Sequence, residues 1–261
     1  MPPERIGAAI IQRYLDSRQV MRLAAGDFTL VFHAYEEHVR RWELPLDAVG
    51  SRLVRDGLAA LALHLATRPA DETVGVTLNF RNPPLNIFLT GNAGAITVTG
   101  RVFNEDVQTA ASGRMFVQSY RPATGQIQSA MDVEGLEVLR SFEDYYARSE
   151  QAATRFMSLG SERFVMAQAL PEGSRAEIMA LTPAAAATLL DSGLHLLAEQ
   201  PVHFRCGCNR DKLLAALHLI YAGKDADLFR SESGVEAFCP RCGARWWIER
   251  SAYENEAPPA G

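Results

Sequence analysis

All four cysteines of this 261-residue chain lie in two tight pairs close to one end. Cys206 and Cys208 form a C-x-C pair, and Cys239 and Cys242 form a C-x-x-C pair further along the chain. Four thiolates supplied by two short loops are the ligand set that tetrahedral Zn²⁺ takes in structural sites. Gly243 directly follows the second pair and would let backbone amides face the sulfurs. The residue types and their spacing therefore predict a Zn²⁺ site with these four cysteines as ligands.

Basic residues near the cysteines could offset the two net negative charges that four thiolates on Zn²⁺ would leave. Five such residues lie within four positions of a ligand: Arg205, Arg210, Lys212, Arg241 and Arg245. The same residues would also suit an ordinary solvated surface. Histidine ligands are not expected from His203 or His218, because the cysteines already complete the set. Buried core cysteines are a further alternative, which the pairing and the flanking arginines disfavour.

The C-x-C pair also predicts redox chemistry. Sulfurs one residue apart are close enough to join if the metal leaves, and so short a loop makes a strained disulfide that forms and breaks readily. Because Zn²⁺ holds thiolates deprotonated, the sulfurs remain potential nucleophiles towards oxidants. The site could therefore work as a switch that is reduced with zinc and oxidised without it.

Composition and charge set the context of these thiols. A hydrophobic fraction of 48% and 22% charged residues are typical of a globular protein. The net charge of −5 disfavours a broad nucleic-acid footprint, and the most apolar run, at 57–66, is too short to span a membrane. Residues 1–16 carry charges where a secretory signal needs its apolar core. We therefore expect a cytoplasmic protein without nucleic-acid or membrane partners, whose thiols bind metal or serve redox chemistry.

Hydrophobic periodicity along the rest of the chain predicts an α+β fold, with helices packed on a β-sheet. The predicted helices span residues 4–24, 51–66 and 136–157, and a further helix begins with Thr182 as N-cap and Pro183 as its first residue. Strands are predicted at 28–35, 73–80, 85–91 and 95–103, and a strand with a turn at 163–173. From this order we expect a core domain at 1–175, a helical linker at 176–200 and a zinc-binding redox-switch module at 201–261.

The small C-terminal module should depend on its metal. It is too short to be stable on a hydrophobic core alone, whereas structural zinc contributes about 10–16 kcal/mol in small modules. Loss of the metal should therefore unfold the module but not the larger core. In the resting state we expect the core and the module to cover the apolar residues of the linker region, Leu189, Leu190, Leu194, Leu196, Leu197, Val202 and Phe204.

Several stretches of the sequence carry a resemblance to one known family. Two of them hold the cysteines, PVHFRCGCNRDKLLAAL at 201–217 and FCPRCGARWWI at 238–248. Three lie upstream: DGLAALALHLA at 56–66, SYRPATGQIQSAMDVEGLEVLRSFEDYYARSEQ at 119–151 and RFVMAQALPEG at 163–173. Together they resemble the redox-regulated zinc chaperones of bacteria, the 33-kilodalton heat-shock holdase family. The pairing of C-x-C with C-x-x-C at this separation is the most specific motif.

This resemblance implies a function as well as an α+β core, a thermally labile linker and a zinc module. Cys206, Cys208, Cys239 and Cys242 would bind zinc in the resting state. Oxidation would pair Cys206 with Cys208 and Cys239 with Cys242, release zinc, and expose surface that holds unfolding proteins without ATP. The partners would be unfolded or aggregation-prone client proteins, and a homodimer would accompany activation. The protein would then be a stress-response chaperone and not an enzyme.

Two alternatives of other classes remain open. A zinc-ribbon module for nucleic-acid or protein interaction would use the same arginines, although an acidic chain supports salt-sensitive nucleic-acid binding poorly. A thiol-disulfide oxidoreductase would use Cys239 and Cys242 in CPRC, a motif that normally opens a helix, whereas GARWWI predicts a strand. Neither a Ser/His/Asp arrangement nor an ATP-binding motif is evident in the sequence.

Overall fold

The computed structural model describes residues 8–104, 107, 112–222 and 224–255. Ten strands form one large sheet: β1 (Ala9–Leu15), β2 (Met21–Asp27), β3 (Thr73–Phe80), β4 (Leu85–Asn92), β5 (Ile96–Phe103), β6 (Gly113–Arg121), β7 (Gly125–Val133), β8 (Thr154–Gly160), β9 (Arg163–Ala169) and β10 (His195–Phe204). Their order across the sheet is β7-β6-β3-β4-β5-β10-β1-β2-β9-β8. Neighbouring strands run antiparallel except β10 and β5, which are parallel.

Helices cover parts of both faces of this sheet. The first five are α1 (Thr29–Arg41), α2 (Ala48–Leu65), α3 (Val138–Tyr145), α4 (Arg175–Met179) and α5 (Pro183–Asp191). The first three pack on one face and enclose the main core. The other two pack on the opposite face, over β8 and β9, and close a second apolar cluster. The predicted α+β fold class, with helices packed on a β-sheet, is confirmed.

The C-terminal part has its own small core. It consists of α6 (Arg210–Ile220), α7 (Asp225–Phe229), the hairpin of β11 (Gly234–Phe238) and β12 (Arg245–Glu249), and α8 (Arg250–Asn255). The buried apolar residues of this core are Leu214, Phe229, Ala237, Ile248 and Tyr253. These five side chains form a cluster separate from both apolar clusters of the large sheet.

The helix predicted at 51–66 is confirmed as α2. Asp47 caps it, because its carboxylate accepts a hydrogen bond from the amide of Gly50 at 2.6 Å. The helix is buried along almost its whole second half, which is why its sequence is apolar on all sides. Gly57 allows close approach to the sheet, since a Cβ there would lie 2.6 Å from Cδ1 of Leu89 on β4.

The strands predicted at 73–80, 85–91, 95–103 and within 163–173 are confirmed as β3, β4, β5 and β9. In β3 the side chains of Val74, Val76 and Leu78 are buried, and their neighbours along the strand are half-buried or exposed. This period of two is what the sequence pattern indicated. The strands β3, β4 and β5 follow one another as antiparallel hairpins, so their positions in the sheet follow their order in the chain.

Two predictions near the amino end are wrong. The stretch predicted as a helix at 4–24 forms the hairpin of β1 and β2, apart from residues 4–7, which lie outside the described residues. Asp16 makes its turn, because its carboxylate accepts from the amides of Val20 and Met21 at 2.8 Å. The stretch predicted as a strand at 28–35 lies largely within α1, whose buried residues Val31, Phe32, Ala34 and Tyr35 follow helical spacing.

The helix predicted at 136–157 is shorter than expected. The α-helix α3 passes into a π-helical turn at Tyr146–Glu150, and Gln151 then takes a left-handed conformation with φ of +53°. The chain turns there and enters β8 at Thr154. Phe156 is therefore a buried residue of a strand, although its spacing from Phe142 matched a helix face.

The segment at 176–200 is helical only in its first part. Thr182 caps α5 and accepts from the amide of Ala185 at 3.2 Å, as predicted. From His195 the chain is the strand β10, which lies inside the large sheet between β5 and β1. The boundaries of the three-part division at 1–175, 176–200 and 201–261 remain a prediction.

The predicted burial of the apolar residues in the linker region is only partly confirmed. Leu189, Leu190 and Leu194 pack against the second apolar cluster, and Val202 is buried. Leu196 and Leu197, however, are 51% and 57% exposed, so this part of the prediction is wrong. Among the described helices, none has the length and apolar character needed to cross a lipid bilayer.

Candidate metal centre

The four cysteine sulfurs converge on one point. All four Sγ atoms lie within 4.8 Å of one another, and no other described residue type joins the group. Sγ of Cys206 lies 3.7 Å from that of Cys239, and Sγ of Cys208 lies 3.5 Å from that of Cys242. A zinc ion with four thiolates at about 2.3 Å would separate the sulfurs by about 3.8 Å. The cluster therefore fits a tetrahedral ion of this size.

The C-x-C pair lies in the short loop between β10 and α6. The amide of Cys208 donates to the carbonyl of Cys206 at 2.7 Å, which makes a tight turn that brings both sulfurs to one side. Asn209 then caps α6 by accepting from the amide of Lys212 at 2.9 Å. The ammonium group of Lys212 donates in turn to the carbonyl of Gly207 at 2.6 Å. Hydrogen bonds thus stabilise the loop at Gly207 and at its end, where α6 begins.

The C-x-x-C pair lies in the turn that joins β11 to β12. The amide of Cys239 donates to the carbonyl of Ala244 at 2.7 Å, and the amide of Gly243 donates to the carbonyl of Cys239 at 2.9 Å. Gly243 has φ of +77°, a left-handed conformation that a residue with a Cβ adopts only with strain. This turn directs backbone amides at the sulfurs, as the glycine at this position predicted.

The four thiols are not equivalent in their protonation. Hydrogen bonds from the thiols of Cys206 and Cys242 lower the pKa of Cys239, and the amides of Cys242 and Arg241 lower it further. Burial raises the pKa of Cys208 to about 12, and the neighbouring Cys206 adds to that shift. The geometry therefore favours a thiolate at Cys239 first, and a divalent cation would displace the remaining protons.

The basic residues predicted to offset the charge of the centre interact with carboxylates or with solvent. Arg245 pairs with Glu43 at 2.8 Å and lies 3.8 Å from Glu236, so carboxylates share its charge. Arg210 lies 3.7 Å from Asp211. Both Arg205 and Arg241 are exposed to solvent. Charge compensation by this group is therefore partial.

Arg101 on β5 is a cation at the centre that the sequence did not reveal. Burial lowers the pKa of its guanidinium, while the Cys242 and Cys239 thiolates raise it. Its Nη1 atom would lie 3.2 Å from a Cβ placed on Gly243, so it lies against the C-x-x-C turn. The residue is far from the cysteines along the chain, and a single arginine within a strand carries no local signal of such a role.

The end of α1 also contacts the centre, which the sequence did not reveal either. Nε2 of His38 lies 2.9 Å from the carbonyl oxygen of Cys242. The centroid of its ring lies 5.4 Å from that of Phe204 and 6.4 Å from that of Trp42. Trp42 in turn contacts Trp246 of β12 at 5.2 Å. The large sheet and the cysteine module therefore meet through aromatic rings.

The two histidines considered as ligands lie outside the sulfur cluster. His218 on α6 stacks on the ring of Tyr253 at a centroid distance of 4.0 Å and belongs to the small core of the module. His203 lies within β10 and is half-buried. The structure brings the four predicted cysteines together, and their role as zinc ligands remains a prediction.

Access to the sulfurs is unequal. Cys239 and Cys242 are buried, whereas Cys206 and Cys208 are partly exposed. An open groove of about 580 Å³ between the end of α1 and the module leads to the exposed pair, and Trp42 is among its lining residues. A small oxidant could therefore reach the C-x-C sulfurs from solvent without any movement of the chain.

Comparison with known proteins gives a consistent result. The profile of the Hsp33 protein family matches residues 11–249. The 33 kDa chaperonins of Yersinia pestis and Yersinia pseudotuberculosis are each 24% identical over an alignment of 273 residues, which covers 92% of this chain and 92% of each relative. The crystal structure of the 33 kDa chaperonin from Thermotoga maritima matches with a TM-score of 0.72 and 15% identity, covering 95% of this chain and 97% of that chain.

The family match runs from β1 to β12 and so includes both the large sheet and the cysteine cluster. The structural match supports the same fold over the same extent. The resemblance noted in the sequence is thereby confirmed, and the chain belongs to the Hsp33 family of chaperones.

Proposed function

We propose that the protein is a redox-regulated holdase, a chaperone that binds unfolding proteins without ATP once its cysteines are oxidised. In the resting state Cys206, Cys208, Cys239 and Cys242 bind one Zn²⁺. Oxidation pairs Cys206 with Cys208 and Cys239 with Cys242, and zinc leaves. The observation that carries this proposal is the convergence of four sulfurs at tetrahedral spacing, two of them open to solvent.

Metal loss should unfold the module because little else stabilises it. Its separate core contains five buried residues, and each large apolar side chain contributes about 1.5–3 kcal/mol. Structural zinc contributes about 10–16 kcal/mol in small modules, which is comparable with the whole stability of a typical domain. The main core under α1 and α2 contains many more buried residues and should persist.

Unfolding of the module would uncover the surface on which it rests. That surface includes Trp42, His38 and the end of β10 at Phe204, all of which contact module residues or each other. Leu196 and Leu197 are already exposed near the beginning of the same strand, so the newly uncovered aromatic rings would add a second apolar site at its end. An apolar surface of this kind is what an unfolding protein would bind.

The helices α4 and α5 offer a second surface. Only Ile178 and Ala186 of these helices are fully buried, and the guanidinium of Arg155 holds the end of α4 through the carbonyl of Met179 at 2.9 Å. Detachment would uncover one face of the sheet over β2, β8 and β9. Its buried side chains there are Met21, Leu23, Ala25, Met157, Val165 and Ala167.

The remaining parts of the proposal rest on the family. The partners are unfolded or aggregation-prone proteins, as expected for a chaperone. The active form is a homodimer, the protein acts in the cytoplasm, and it catalyses no reaction. The oxidoreductase alternative is not favoured, because Cys242 is followed by the strand β12 and not by a helix.

An aggregation assay tests the function. Light scattering of a heat-unfolded client is followed with this protein reduced and zinc-loaded, and again after peroxide treatment and warming. We expect suppression only by the oxidised wild type. A variant with serine at all four cysteine positions cannot bind zinc, so it should suppress aggregation to the same extent with and without peroxide. Equal suppression in both redox states would contradict redox regulation, and suppression in neither state would contradict the holdase function.

A further inference from the structure

We propose that Arg101 couples the redox state of the cysteines to the docking of the C-terminal module on the large sheet. The guanidinium holds the C-x-x-C turn while the sulfurs are anionic and releases it when they become neutral disulfides. This proposal rests on the redox function proposed above. It names the residue of the core through which that function would act.

Arg101 lies on β5 with its side chain against the module. Its Nη1 would lie 3.2 Å from a Cβ on Gly243, and Leu44 closes the same contact from the other side. The guanidinium stacks over the ring of Phe103 at 4.1 Å, which fixes its direction. Glycine at 243 therefore leaves room for the arginine beside the sulfurs as well as allowing the left-handed turn.

The charge of Arg101 lacks a carboxylate partner among the described residues. Its Nε atom is buried and makes no hydrogen bond there. Arg101 is half-buried, and even partial burial of a guanidinium is costly unless an anion offsets its charge. The guanidinium lies against the turn that carries Cys239 and Cys242, and these are the groups whose negative charge acts on it. We therefore assign the thiolates of the centre as the counter-charge of this arginine.

Oxidation removes that counter-charge. Two equivalents of hydrogen peroxide take four electrons from four thiolates, form two sulfur–sulfur bonds, and become four waters after uptake of four protons. Zinc leaves as the dication. The sulfurs, which together with zinc carried two negative charges, are then neutral. The half-buried guanidinium is left beside an uncharged turn, and separation from the module lets water solvate it fully.

The other contacts between the sheet and the module depend less on the sulfur charge. Trp42 meets Trp246, and Glu43 pairs with Arg245, whether the cysteines are thiolates or disulfides. His38 meets the backbone carbonyl of Cys242, and the charge of Cys239 also acts on its ring, but an imidazole carries no permanent charge. Arg101 is permanently charged, so it is the contact whose strength changes most with redox state.

The test uses the full chain with Arg101→Met, which keeps length and removes charge, and Arg101→Lys, which keeps charge. Arg205→Met is the matched control, because Arg205 is exposed and adjacent to Cys206. Two quantities are measured: the rate at which a chelator removes zinc from the reduced protein, and protease cleavage within residues 205–209, which follow β10, in the reduced and in the oxidised protein. Far-UV circular dichroism and the thermal transition of the core report whether each variant folds.

We expect Arg101→Met to lose zinc on the order of tenfold faster than wild type, as for loss of a charge-assisted contact. Its reduced form should be cleaved as readily as the oxidised wild type, so that oxidation of the variant increases cleavage only slightly. Arg101→Lys and Arg205→Met should both behave like wild type. If Arg101→Met fails to fold, Arg101→Gln replaces it in the same comparison.

Two outcomes would overturn the proposal. In one, Arg101→Met keeps the full wild-type difference in protease cleavage between its reduced and oxidised forms. In the other, Arg101→Lys is as defective as Arg101→Met, which would show that packing and not charge holds the module. Failure of the holdase function gives a different result: oxidised wild type would release its module normally and still not suppress aggregation.

Discussion

Truncation of the chain at two neighbouring positions tests where the core ends. One protein ends at Arg205, whose amide donates to the carbonyl of Val98 at 2.9 Å, and so keeps all ten strands of the sheet. The other ends at Gln200 and corresponds to removal of the module predicted from the sequence, 201–261. The second truncation removes the end of β10, including its whole parallel pairing with β5.

The cost of those few residues follows from their burial. Val202 is fully buried in the main core, and its removal costs about 2 kcal/mol. Phe204 is half-buried and packs on Tyr35 with a centroid distance of 5.6 Å, which adds about 1–2 kcal/mol. A loss of about 3–4 kcal/mol corresponds to a fall in Tm of about 10 °C for a domain of this size.

Thermal unfolding followed by circular dichroism measures the difference. We expect the protein ending at Arg205 to unfold cooperatively, and the protein ending at Gln200 to unfold about 10 °C lower or to lack a transition. Equal midpoints for the two proteins would refute the reasoning, since β10 would then contribute nothing beyond residue 200. Absence of a transition in both would show that the module belongs to the core.

Two further predictions concern single residues. Cys239→Ser should abolish tight zinc binding, because three thiolates leave the site open, whereas His218→Ala should bind zinc as wild type does. Competition with a chelator measures the zinc affinity of both variants. Unchanged affinity in the serine variant would exclude Cys239 as a ligand. Burial lowers the pKa of His64 to about 3, with Arg68 and Arg22 adding to the shift, so the folded protein holds a neutral imidazole against the hydroxyl of Tyr146 at 2.8 Å. The stability that comes from keeping His64 neutral is fully present above the unfolded pKa of 6.5, and it is lost at about 1.4 kcal/mol per pH unit as the pH falls towards 3. Denaturant unfolding should therefore show that the free energy of unfolding of His64→Gln falls less steeply with decreasing pH than that of wild type. Identical slopes for the two proteins would contradict this prediction.

The parts of the fold that the sequence predicts well are those whose signal is local. The helix α2 is apolar on all sides over many residues and has an aspartate cap, and β3, β4 and β5 alternate with turn residues between them. The cysteine spacing is also local to two loops, so the ligand set could be proposed without knowledge of the fold. In each case neighbouring residues carry enough information to define the element.

The parts that the sequence mispredicts depend on distant partners. Ile10 and Ile11 are adjacent apolar residues, and only the pairing of β1 with β10 and β2 places one outside and the other in the core. The strand β10 follows a helix in the chain, and it forms because it pairs with β5 on one side and β1 on the other, both of which are distant in sequence. Arg101 and His38 reach the cysteines through the fold alone, which is why no local pattern marks them.

The most direct test of the central claim measures zinc and chaperone activity in the same samples. The reduced protein is titrated with peroxide while warm, and free zinc, thiol content and suppression of client aggregation are recorded at each point. We predict one zinc released per chain as four thiols are lost, with suppression rising in proportion to the zinc released. Suppression that is already complete before zinc leaves, or that never appears after all four thiols are oxidised, would contradict the account.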